Sequence, residues 1–226
     1  MDFDVLPGPP LAELARTTIA RAVAATVACV GSREIPPTAV SLRTGPAGLP
    51  VLLPSPGSLL ARHLDDNGPA EVLVAVPADA PFSALRLSGV ATRSAAGYPV
   101  RLRSAEFSGQ VPVQVALAEY RTAAPDPLWR EAPAVLDHLE RCHMAELVSC
   151  VRAHGLATAE VVIPSSLDRF GLELLVLMPS GTAAVRLAFP GGPVTSLREA
   201  PASLQAALTC RCASRLPHLG RQADGA

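Results

Sequence analysis

Five histidines, five cysteines and a basic set made entirely of arginine carry the chemistry open to this 226-residue chain. Two of the histidines, His138 and His143, lie in the segment AVLDHLERCHMAELVSCVRAH, residues 134–154. There Leu136, Leu139, His143, Leu147 and Cys150/Val151 recur at helical spacing, so the segment reads as one long amphipathic helix. His143 falls on the apolar stripe and His138 toward its flank. At ~100° per residue, side chains five positions apart point roughly 140° away from each other. One unbroken helix therefore cannot bring both rings to one ion; a shared site needs a second chain or another element to close it. Neutral imidazole is an ordinary axial ligand for haem iron. Arg186, in the apolar run VRLAF, is the residue type that pairs with a carboxylate such as a propionate. A histidine on an apolar helix face is more often a core residue with its hydrogen bonds satisfied than a ligand. His63, His154 and His218, near helix ends or in the tail, read as surface residues.

Other chemistries find less. Cys210 and Cys212 form C-x-C, and Cys142 and Cys150 sit in the helical segment, but no C-x-x-C pair or zinc-type His spacing accompanies them. They read as small buried hydrophobes. Cys142 and His143 are adjacent, which on a helix separates them by ~100° and prevents their acting as nucleophile and base. No G-x-S-x-G elbow is present, and the absence of lysine excludes Schiff-base chemistry. Arg86 and Arg93 on barrel strands, or Ser58 at a helix start, could hold an anion, but residues of these types more often have a solvated or structural role. Asp168-Arg-Phe-Gly171 reads as a turn in which the Asp side chain bonds the following backbone and Gly171 supplies a positive φ.

The elements that must position these residues fall into two groups. Leu11–Ala25 reads as a helix. Short strands follow at 26–30, 39–42, 51–53, 71–76, 85–91 and 100–107, separated by glycine- and proline-rich turns. That spacing suggests a small barrel. Ser58 caps a short helix through Leu64, and Gly89 inside a strand suggests a bulge or a close backbone approach. A short helix at 116–123 precedes Pro125-Asp126-Pro127, the expected domain boundary. The long helix then leads to strands at 160–163, 172–178 and 183–189 and a last helix from Leu197 to Arg211. The fold class is α+β: a barrel domain over 1–124, an antiparallel sheet with helices on one face over 128–216, and a loose tail at 217–226. A net charge of −1 leaves no basic footprint for nucleic acid. The longest apolar runs, Ala22–Val30 and Leu174–Met178, are too short to span a bilayer. With an acidic, proline-rich start, the expectation is a cytoplasmic protein with reduced thiols.

Three pieces of the second half resemble the C-terminal domain of HugZ-type haem-utilisation proteins. They are His138-Leu139 with His143, Leu167-Asp168-x-x-Gly171-Leu172, and Val185-Arg186-Leu187-x-Phe189-Pro190, in an order that fits over about residues 136–208. The first half is similar, more loosely, to pyridoxamine-phosphate-oxidase-like split barrels of the FMN-binding type, through Gly48–Ser55, Ser58–Leu64 and Ala84–Ala91. This resemblance implies a split barrel followed by the haem-utilisation-associated domain, and a homodimer. It implies haem as the ligand, with His138 or His143 on the iron and Arg186 on a propionate, and degradation of haem in some members. Two alternatives stay open. One is a flavin- or deazaflavin-dependent oxidoreductase using Ser58, Arg86 and Arg93. The other is a non-catalytic regulator of tetrapyrrole synthesis that acts by binding a protein.

Overall fold

The computed structural model describes residues 8–32, 34–79, 82–196 and 198–199. They divide into two compact units, Pro10–Pro125 and one that begins at Asp126.

In the first unit, helix α1 (Leu11–Arg21) precedes strands β1 (Ala24–Cys29), β2 (Thr38–Thr44) and β3 (Pro50–Leu53). Helix α2 (Leu59–Asp66) leads to β4 (Ala70–Pro77), β5 (Ala84–Ala91), β6 (Tyr98–Ser108), the two-residue β7 (Val113–Gln114) and helix α3 (Leu117–Thr122). The strand order β3-β2-β1-β4-β5-β6 is antiparallel throughout. It closes on itself where Val51 and Leu52 pair with Pro99 and Tyr98, giving a six-stranded barrel with β7 appended to β6. Alternation creates the interior. In β4, Ala70, Val72, Val74 and Val76 are buried while Glu71 and Leu73 face out. Burial of each large aliphatic side chain contributes about 1.5–3 kcal/mol. The register of β5 on β6 shifts between Ser88 and Gly89, and a Cβ at Gly89 would lie 2.5 Å from the Arg101 carbonyl oxygen. A bulge so tightly covered accepts only glycine.

Helix α1 stops at Arg21, short of the expected Ala25, because Ala24 and Ala25 already pair with Ser41 and Val40 in the barrel. Alanine suits a helix, but the strand pairing and the burial of Ala25 outweigh that preference. A lock forms around the turn Pro46–Gly48, where Ala47 has φ +53°. Tyr120 donates its hydroxyl to the Gly48 carbonyl at 2.7 Å, Arg16 donates to the Ala47 carbonyl, and the Arg16 guanidinium lies 5.2 Å from the Tyr120 ring centroid.

In the second unit, helices α4 (Ala132–Cys142) and α5 (Met144–Ala153) precede a three-stranded antiparallel meander: β8 (Val161–Asp168), β9 (Gly171–Met178) and β10 (Gly181–Ala188). Leu139, Leu147 and Val151 of the helices share a core with Val162, Leu172, Leu174, Val176, Val185 and Leu187 of the sheet. The fold class is thus α+β, a closed barrel with helices and a separate sheet with helices on one face. The other face carries Val161, Ile163, Leu175 and Leu177, with Val161 opposite Leu177 and Ile163 opposite Leu175. No helix among the described residues is long and apolar enough to cross a membrane. The expected last helix, apart from turn residues 198 and 199, lies outside the described residues, as do Cys210, Cys212, His218 and the tail.

Candidate functional site

The long helix expected over 134–154 is two helices, broken at His143, whose φ of −129° and ψ of 19° are not helical. Its N–H still donates to the Leu139 carbonyl at 2.9 Å, and its own carbonyl accepts from the Leu147 N–H at 2.9 Å. The break therefore sacrifices little of the hydrogen-bond ladder while redirecting the chain. Neither glycine nor proline marks it; Cys142 and His143 are merely middling helix formers. Its consequence corrects the angular argument from a straight helix. The rings of His138 and His143 lie edge to face, with centroids 5.1 Å apart and planes at 68°. His138 is exposed and His143 half-buried. Beside them, Arg141 and Asp137 form an i,i+4 ion pair, worth a few tenths of a kcal/mol on an exposed helix face. Among the described residues no group of three or more His, Cys, Asp or Glu could hold a metal ion, so this pair stands without a third protein donor.

Arg186 is engaged elsewhere. Its Nη2 donates to both Asp168 oxygens, at 2.5 and 2.7 Å, with the two side chains only 18% and 12% exposed. The same Asp168 oxygen that takes the shorter bond also accepts from the Phe170 and Gly171 N–H groups, at 2.8 and 3.2 Å. Asp168-Arg-Phe-Gly171 is therefore a carboxylate-centred turn as the residue types suggest, except for the role of Gly171. Its φ is not positive; a Cβ there would collide with the Leu187 carbonyl. Asp126 supports the turn from the other side, one oxygen accepting from the Leu128 N–H and the other from the Arg169 N–H, both at 2.7 Å. By strand register, Arg186 pairs with Glu173 and shares the sheet face opposite to the buried Val185 and Leu187, which pack with α4 and α5. Within one chain the sheet separates Arg186 from the two imidazoles.

The candidate anion residues are also apart. The Ser58 hydroxyl accepts from the Ala61 N–H at 3.1 Å and caps α2. Arg93 pairs with Asp65 at 3.0 Å, and the same oxygen accepts from the Tyr98 hydroxyl. Arg86, exposed, sits opposite Glu106 toward the start of β5. Arg93 lies beyond the end of that strand, roughly 16 Å or more away at ~3.3 Å per residue.

His154, expected at the surface, is buried. The chain turns back after α5 through Gly155, whose φ is +99°, and the Leu156 N–H reaches the Val151 carbonyl. His154 Nδ1 lies 2.7 Å from the Cys150 carbonyl, so it carries the proton and donates; Nε2 is buried without a partner among the described residues. Burial pushes the Cys150 and Cys29 thiols up, which suits inert packing. His63 is half-buried and its Nδ1 lies 3.1 Å from the Asn67 amide.

No protein-family model matches the chain, and no curated protein matches it. Solved structures do. One, described as a haem binding protein from Mycobacterium smegmatis, superposes with a TM-score of 0.61 at 24% identity, covering 89% of this chain and 97% of that one. At that identity the likeness concerns the fold, and it extends over both units. A protein of unknown function from Agrobacterium tumefaciens aligns at 20% identity with a TM-score of 0.39, covering 89% of this chain and 100% of that one.

Proposed function

We propose that the chain binds haem or handles haem iron, with His138 or His143 supplying the axial nitrogen, as its HugZ-like resemblance implies. The observation that carries this reading is the broken helix, which leaves one imidazole exposed and a second 5.1 Å from it. A neighbour of the same fold described as a haem binding protein supports it. The donor chemistry fits, since neutral imidazole is a standard haem ligand. Bound haem would bring a redox-active iron; the chain itself would contribute the coordinating nitrogen and hold the second ring beside it. Arg186, bound to Asp168 on the opposite sheet face, would meet a propionate only of a haem held by a second copy of the chain, and only on leaving Asp168. A homodimer, a cytoplasmic setting and haem degradation belong to the same proposal. The test is a titration of purified protein with hemin. A Soret shift saturating at one hemin per chain, lost in the His138→Ala/His143→Ala variant, is expected. No shift, or a shift unchanged in that variant, overturns the reading.

A second reading, a non-catalytic regulator of tetrapyrrole synthesis acting by protein binding, is favoured by the open sheet face. Val161, Leu175 and Leu177 are 41%, 37% and 36% exposed and adjoin one another across β8 and β9, the kind of apolar patch that marks interaction surfaces. The flavin or deazaflavin alternative draws no support from Ser58, Arg86 and Arg93, which are engaged or held apart.

A further inference from the structure

The spacing of the two rings has a meaning that haem ligation does not use. An imidazole nitrogen binds a first-row divalent cation at about 2.0–2.1 Å, and the ring centroid lies a little over 1 Å further out, so ion and centroid are about 3.2 Å apart. Two imidazoles on one ion then have centroids about 4.5 Å apart at a right angle, about 5.2 Å apart at the tetrahedral angle, and about 6.4 Å apart when opposite each other. The observed 5.1 Å fits the tetrahedral case and excludes the opposed arrangement. The rings now meet edge to face. Rotation about the second side-chain torsion, which is broad for histidine, re-aims the ring nitrogens while leaving the centroids nearly in place.

We propose that His138 and His143 form a two-nitrogen chelate for a free d-block dication that accepts tetrahedral coordination, such as Zn2+ or Co2+, with solvent completing the coordination. Imidazole selects these ions over calcium and magnesium, which take oxygen ligands. The break at His143 creates the chelate; a continuous helix would point the rings apart. Exposure of His138 gives the ion a route in. The chelate goes beyond the haem reading, because it needs both rings on one ion while axial ligation needs one, and the two ligands would compete for the same nitrogens.

The test is calorimetric titration of the full chain, free of any affinity tag, with Zn2+. One ion per chain is expected, with affinity falling about tenfold or more in each of His138→Ala and His143→Ala, since the second donor acts at a high effective concentration. Replacing Cys142, Cys210 and Cys212 by serine should leave the affinity unchanged. Absence of binding, binding in either single variant as tight as in the parent, or loss of binding in the cysteine variant overturns the proposal. If a His143 variant melts at a lower temperature, His138→Ala, altered at an exposed position, decides the matter alone. Zinc binding without a Soret shift with hemin leaves the chelate standing and removes the haem reading; the converse removes only the chelate.

Discussion

Removing the Asp168 carboxylate should unfold the second unit far more readily than removing the whole ion pair. Asp168→Ala strands the Arg186 guanidinium, 18% exposed, and deprives the Phe170 and Gly171 N–H groups of their acceptor. Breaking a largely buried pair from one side costs about 3–5 kcal/mol, a large share of the 5–15 kcal/mol that holds a typical domain. With a urea slope of about 2 kcal/mol/M, the midpoint drops by roughly 2 M. The variant Asp168→Ala/Arg186→Met leaves no stranded charge and should recover much of that loss, because apolar replacement of a buried pair is often neutral. The single tryptophan, Trp129, lies half-buried in the same unit, so its fluorescence follows this transition. A single variant within about 1 kcal/mol of the parent, or a double variant no better than the single one, refutes the reasoning. Hemin affinity of the double variant serves as a second readout: unchanged affinity means that Arg186 acts only through Asp168.

Tyr120 and Gly171 offer two further tests. Burial, opposed by the nearby Arg16, pushes the Tyr120 hydroxyl up to about 12 from an ordinary 10. The folded state thus keeps a proton that the unfolded chain releases. Stability is fully present below pH 10 and falls by about 2–3 kcal/mol as pH rises through 12; Tyr120→Phe should abolish this part of the alkaline loss in urea titrations at pH 9 and 11. Gly171→Ala should lower stability by about 2 kcal/mol or more through its clash with the Leu187 carbonyl. A melting temperature unchanged from the parent would show that β9 and β10 yield there.

Local residue patterns announced much of this fold. EVLVAV alternates in and out of the barrel as its period requires, Ser58 caps α2, and Gly89 marks a bulge. What stayed hidden depended on distant contacts. Closure of the barrel rests on two residue pairs between β3 and β6 that no local pattern encodes. Leu139, His143, Leu147 and Val151 keep helical spacing across the break, so the stripe reads as continuous although the backbone is not. His154 looked exposed from its place at a helix end, but the turn at Gly155 covers it. Gly171 was legible as a special position for the wrong reason, because the crowding comes from β10 rather than from its own backbone angles. For the candidate site, both histidines could be named from the sequence; their proximity, and the commitment of Arg186 to Asp168, could not.

The central claim is that an imidazole of the broken helix reaches haem iron, and optical titration with hemin across His138→Ala, His143→Ala and the double variant tests it most directly. The account predicts a ligated-haem spectrum in the parent, its loss in the double variant, and its loss in just one of the two single variants, since the ring spacing lets only one histidine serve a given iron face. An identical spectrum and affinity in all four proteins would contradict it.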